Sequence, residues 1–153
     1  MKRVAIFIAA AVFLYSANSS QSAVLTLQFQ NITSNSSVNA ATGESQLFLE
    51  VAQTTADNVL FTFKNIGIEA CAISEIYFDD DSGALSQLVS IIDTPKDVVF
   101  TQGASPPELP GANTAVPEFI TTNNFLAEAD SPPSKRGVNP GEQVTIKFNI
   151  NTG

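Results

Sequence analysis

Three consecutive acids, Asp79, Asp80 and Asp81, followed by Ser82 and Gly83, are the densest set of hard oxygen donors in this chain. Calcium takes about six to eight oxygen ligands, and a turn can present carboxylates and main-chain carbonyls together. Alternate residues of an extended segment point the same way, so Asp79 and Asp81 are the expected ligands of a Ca²⁺ site. The run lacks the spacing and the terminal glutamate of an EF-hand loop. Adjacent acids in a turn also read simply as solvated surface.

The other acids offer a second chemistry. Glycoside hydrolysis uses two carboxylates roughly 5 to 10 Å apart across a cleft, and Glu75, Glu118, Glu128 and Asp130 are the candidates. Nothing in their spacing brings two of them together. The absences are sharper. The chain has no histidine, which removes Ser-His-Asp and Cys-His hydrolases and histidine-bearing zinc sites. It has no tryptophan, and beyond the first 23 residues its only tyrosine is Tyr77, so a sugar-binding face of stacked indoles is excluded. Asn31-Ile32-Thr33 and Asn35-Ser36-Ser37 match the N-glycosylation pattern, which has meaning only in a eukaryotic host.

Lys2 and Arg3, an apolar run from Val4 and small residues up to Ala23 have the order of an export signal. Val4 to Ala17 is shorter than the roughly 20 residues a spanning helix needs, so the expectation is a cleaved signal over residues 1–23, not a stable transmembrane anchor. Cleavage is expected after Ser19, Ser22 or Ala23. A lipoprotein signal would need a cysteine directly after the run, and the one cysteine is Cys71. Without Lys2 and Arg3 the chain keeps five basic residues against 15 acidic ones, a net charge near −10. Nucleic acid and anionic membranes need a basic patch to displace counterions, so both are excluded as partners. Cys71, between Ala70 and Ala72-Ile73, is expected to be a buried small hydrophobe.

Residues 24–153 suit one domain with a single core. Val24 to Gln30 alternates as a half-buried strand does, and Val59, Phe61 and Phe63 share one face of another. Gln46 to Ala52, Ala72 to Phe78 and Val98 to Thr101 are further strand candidates. Leu85 to Ile92 reads as a strand with Leu85, Val89 and Ile91 on one side, although Leu85, Leu88, Val89 and Ile92 also fit a helix. Asn31 to Gly43 is a polar stretch rich in Ser, Asn and Thr and is expected to be a loop. Seven of the eight prolines fall between Pro106 and Pro140; proline lacks the donor that a central strand requires. A long excursion is expected there, with only Glu118 to Ala129 regular enough to pack. The last strand, Gln143 to Ile150, is the clearest. About seven short strands without a long amphipathic helix predict an all-β protein, an antiparallel β-sandwich of Ig-like or jelly-roll-like type.

Several stretches resemble a group of secreted bacterial proteins that carry a PEP-CTERM sorting signal read by an exosortase. They are Phe61-Thr62-Phe63-Lys64-Asn65, Ile73-Ser74-Glu75-Ile76-Tyr77-Phe78-Asp79-Asp80, Phe100-Thr101-Gln102-Gly103-Ala104-Ser105-Pro106 with Leu109-Pro110-Gly111, and Gly137-Val138-Asn139-Pro140-Gly141-Glu142. The resemblance implies a bacterial exported β-domain destined for the envelope or extracellular matrix, and carries no activity with it. Such proteins continue into a Pro-Glu-Pro signature, an apolar helix and a basic tail. This sequence closes at Gly153 without them, so a truncated or freely released form is expected, and an exposed edge on the last strand would invite pairing.

The leading functional expectation is a non-catalytic secreted or cell-surface β-sandwich, its partners extracellular polysaccharide or envelope components. A calcium-dependent carbohydrate-binding module is the alternative. A hydrolase using paired carboxylates is the third.

Overall fold

The computed structural model describes residues 23–33 and 35–152. The expected export segment, residues 1–23, lies outside them save for Ala23. Eight strands run through the described residues: β1 (Val24–Gln28), β2 (Leu47–Thr55), β3 (Asn58–Asn65), β4 (Glu75–Tyr77), β5 (Leu85–Thr94), β6 (Phe100–Gln102), β7 (Leu126–Ala129) and β8 (Gln143–Ile150). They form an antiparallel five-stranded sheet, ordered β1-β2-β3-β8-β5, and an antiparallel three-stranded sheet, ordered β4-β7-β6. The expected all-β sandwich is what the chain forms. Strands β3 to β8 pair in a nested way, β3 with β8 in one sheet and β4 with β7 in the other, which is jelly-roll-like winding. The hairpin β1–β2 extends the larger sheet beyond β3.

The strands with the cleanest period sit at the centre. Val59, Phe61 and Phe63 of β3 and Val144, Ile146 and Phe148 of β8 all point inward and are buried. Across the gap they meet Ile76, Phe78, Phe100, Ala127 and Ala129. Phe78 stands edge-on to Phe61, Phe63 and Phe148, with ring centroids 5.1, 5.9 and 4.8 Å apart, the arrangement that aromatic quadrupoles favour. Cys71 is buried in this core, as expected. Gln46 and Asn65, buried beside it, satisfy their amides on Glu69 O and Cys71 O at 2.8 and 3.0 Å.

The last strand does not form an edge. β8 is hydrogen-bonded to β3 on one side and to β5 on the other, so the edges of this sheet are β1 and β5. Leu85–Thr94 is a strand, but its inward residues are Leu85, Leu88 and Ile91, opposite Ile150, Phe148 and Ile146; Val89 is exposed. Register shifts between Leu85 and Gln87 and between Leu88 and Ser90 insert an extra residue at each place. The bulges stretch the inward period from two to three, which is why this strand imitates helical spacing.

The polar stretch after β1 is not all loop. Ser37–Gln46 forms a helix, α1, whose N-cap Ser36 accepts a hydrogen bond from Asn39 N–H at 3.3 Å. Only Gly43 and Gln46 of this helix are buried. It has no apolar stripe for periodicity to detect. Polar ties fix it, among them Asn31 N–H to Glu44 Oε1 at 2.8 Å.

Residues 103–125 fold back over the outer face of the three-stranded sheet, up to Phe125, which turns inward against Phe148 in the core between the sheets. Leu109, Ala115 and Phe119 pack there on Tyr77 and Leu126 in a second apolar cluster. Within the expected packing segment Glu118 to Ala129, only Leu126–Ala129 is regular, and it is the central strand of its sheet. A short helix, α2 (Pro133–Arg136), leads into the Ile73–Val138 bridge. A Cβ on Gly137 would stand 2.4 Å from Ile73 O, so only glycine permits this approach.

Candidate functional site

The acidic turn is held together by the acid that alternation passes over. Asp80 accepts hydrogen bonds from Ala84 and Leu85 N–H, both at 2.9 Å, and from Ser82 Oγ at 3.2 Å. Its own N–H donates to Thr122 Oγ1 at 2.8 Å. The backbone reverses here, with Gly83 N–H on Asp80 O at 3.0 Å and Gly83 at φ 63°. Alternation ends at that point. Asp79 Oδ2 accepts from Ile120 N–H at 2.8 Å, and Oδ1 is buried without a hydrogen-bond partner among the described residues. Asp81 is exposed in the turn. The two expected calcium ligands are thus turned to different surroundings. Among the described residues no three His, Cys, Asp or Glu side chains are grouped to hold a metal ion.

The paired carboxylates fare differently. Glu118 is exposed on the excursion and Asp130 is exposed after β7. Glu75 and Glu128, by contrast, are direct cross-strand partners on β4 and β7. Both are half-buried on the outer face of the three-stranded sheet, the face that Tyr77 and Leu126 share. Acids opposite one another repel, and this pair is stabilised by donors from around it. Glu128 Oε2 accepts from Ser105 N–H at 3.1 Å. Tyr77 Oη lies 3.2 Å from Glu75 Oε2 and 3.0 Å from Pro106 O, so its single proton serves either acceptor. Burial first, then the Glu75 carboxylate, push the Tyr77 hydroxyl well above its ordinary range. It stays a donor.

Comparison of this chain with family models, with curated proteins and with solved structures finds no match.

The site must therefore be read from its own chemistry. Seven backbone N–H groups of loops, turns and strand starts are met by carboxylates: Asn31 by Glu44, Ile120 by Asp79, Ala84 and Leu85 by Asp80, Phe100 by Asp93, Ser105 by Glu128 and Asn139 by Glu142. Asp93 was not singled out by sequence. Burial raises its carboxyl above the usual range, Phe100 N–H at 3.1 Å opposes the shift, and the charge of Asp130 adds to it. Asp130 in turn accepts from Thr101 Oγ1 at 3.0 Å. A pocket of about 50 Å³ lies between the end of β1 and α1, lined by Phe29, Asn31, Thr33, Asn39 and Glu44 among others. It is large enough for water-sized groups only. No sequence signal could have assembled Glu75 with Glu128, because their separation of more than fifty positions is closed only by sheet register.

Proposed function

We propose that this chain is a non-catalytic exported β-sandwich that acts through its surface, as a component of a bacterial envelope or exopolysaccharide matrix. The observation that supports it best is the deployment of the acids as acceptors for loop N–H groups. A general acid or base must exchange its proton with a substrate, whereas a carboxylate bound to a backbone N–H under a covering segment fixes that segment. Export rests on Lys2, Arg3 and the apolar run before Ala23. Among the described residues no helix is long and apolar enough to cross a membrane.

The test is expression of the full chain in a bacterial host, followed by fractionation and N-terminal sequencing. The reading expects the chain outside the cytoplasm, starting at Ser20, Ala23 or Val24, and co-sedimenting with extracted exopolysaccharide without releasing reducing ends. An intact chain in the cytoplasm would end it. A second reading, hydrolysis by paired carboxylates, is favoured by the placement of Glu75 opposite Glu128. Release of reducing sugar that disappears in both Glu75→Gln and Glu128→Gln would replace the first reading with this one.

A further inference from the structure

Sheet edges are templates for pairing, and natural sheets protect them with charge, proline, bulges or brevity. Three of the four edges among the described residues carry such protection. β4 and β6 are three residues long, and β5 has two bulges, Asp93 near its end and Pro95 just beyond. β1 has none of these. Its five residues, Val-Leu-Thr-Leu-Gln, pair with β2 in unbroken register and contain neither charge nor proline. Val24 and Leu25 are 58% and 48% exposed. No charged residue occurs between Val24 and Gly43, in a chain whose net charge is −8. Copies approaching through β4 or β5 bring the acids Glu75 or Asp93 into the contact, and β6 offers only three residues; β1 is longer than either short edge and carries no charge.

We propose that β1 is the surface through which two copies of this chain pair, antiparallel and edge to edge, with Thr26 of each copy on the two-fold axis. The strand is self-complementary in that register. Leu25 lies opposite Leu27 of the second copy, Thr26 opposite Thr26, and Val24 opposite Gln28. Leu27 and Val51, the cross-strand partner of Leu25, pack against the core on the inner side of the sheet, and the register keeps this row on one side, as sheet pairing requires. Leu25, half exposed in one copy, gains a leucine neighbour. Centring on Thr26 also leaves no residue of the strand unpaired, whereas other registers leave overhangs. The product is one continuous sheet made of two five-stranded ones. A two-fold contact of identical patches closes on itself, so assembly stops at the dimer. Five residues with a rise of about 3.3 Å each give a short contact, well below the ~800 Å² per partner of a standard interface. The dimer is accordingly weak and forms only at high concentration.

This inference is independent of the proposed function, and its test separates the two. The full chain, purified from whichever fraction of the host holds it, should pass from monomer to dimer, and to nothing larger, across a rising concentration series in sedimentation velocity. Leu25→Lys, at an exposed position, should weaken the dimer about ten-fold or more while the thermal unfolding of dilute protein stays unchanged. Cysteine placement reads the register. Antiparallel partners have Cα atoms ~4.5–5.5 Å apart, within disulfide range, so Thr26→Cys should give a covalent dimer on air oxidation. Val24→Cys, some 13 Å from its own copy at ~3.3 Å per residue, should not. A chain that stays monomeric throughout the series, or Val24→Cys cross-linking as readily as Thr26→Cys, overturns the proposal.

Discussion

Ile76 and Tyr77 are neighbours on β4, each 1% exposed, yet they belong to different apolar clusters. Ile76 faces the space between the sheets, where Phe61, Phe63, Phe78 and Phe148 fill the core with edge-on ring contacts. Tyr77 faces the other way, under residues 103–125. That cover is small, and polar hooks fasten it to the sheet and its flanks, Tyr77 Oη with Pro106 O, Ser105 N–H with Glu128 and Ile120 N–H with Asp79, while Leu109 N–H with Thr121 Oγ1 ties it to itself. The inner cluster depends on area removed from water. The outer one depends on area plus a set of single hydrogen bonds, each with a net value of only about 1 kcal/mol. One short sheet therefore separates a region that can unfold only with the whole molecule from one that can open by itself.

The contrast can be broken by truncating each side. Phe61→Ala should cost about 3–5 kcal/mol, because a ring packed against Phe78 and Phe148 leaves a cavity the core cannot collapse into. Urea unfolding measures it, and a loss of that size is a large part of the stability of a typical domain. Leu109→Ala, on the outer side, should cost about 2 kcal/mol, the low end for a buried leucine. Its distinctive sign is a new protease-sensitive segment within residues 103–125 while the rest of the chain stays resistant. Equal shifts in urea midpoint with no new cleavage would mean that cover and core unfold together, and the distinction would fail.

Asp80→Ala sharpens the same comparison at the junction of the two regions. Asp80 fixes the start of β5 through Ala84 and Leu85 N–H, and Thr122 of the cover accepts its own N–H. The substitution should cost about 1–2 kcal/mol. Hydrogen exchange at the Ala84 and Leu85 amides should accelerate more than at Ile146. Uniform exchange rates would show the turn to be dispensable.

What could be read in the sequence divides along the same line. β3 and β8 announce themselves because each has one buried and one polar face, so the period of two is written in residue type. β5 keeps its identity but hides its inward face, since two bulges change the spacing of Leu85, Leu88 and Ile91. α1 is invisible to periodicity because polar caps and ties hold it in place of an apolar stripe. The outer cluster gathers Tyr77, Leu109, Ala115, Phe119 and Leu126 from segments with no common period. For the candidate sites, residue type found the acids and their number, but partners are set by register and turn. Alternation selected Asp79 and Asp81 where the turn depends on Asp80, and listing four acids could not single out Glu75 with Glu128.

The smallest expected effect lies where the inner core opens to solvent. Asp93 is paired across the ladder with the buried Val144, and Phe100 of the smaller sheet donates to its carboxylate at 3.1 Å. Burial, with the charge of Asp130 behind it, raises its carboxyl above the ordinary aspartate value. The folded state thus holds this proton more tightly than the unfolded chain, and between the ordinary and the raised value it binds more protons. Stability then falls as pH rises through that window. Below it, Asp93 is protonated in both states and costs nothing. Asp93→Asn keeps an oxygen for Phe100 N–H and removes the charge. Its melting temperature should match that of the wild type in acid, exceed it slightly once the pH has passed the window, and hold that margin to neutrality. The carboxyl is only partly desolvated and the residue as a whole is exposed, so water screens most of the effect. A margin that shrinks with rising pH would place Asp93 among the carboxylates that the fold prefers charged.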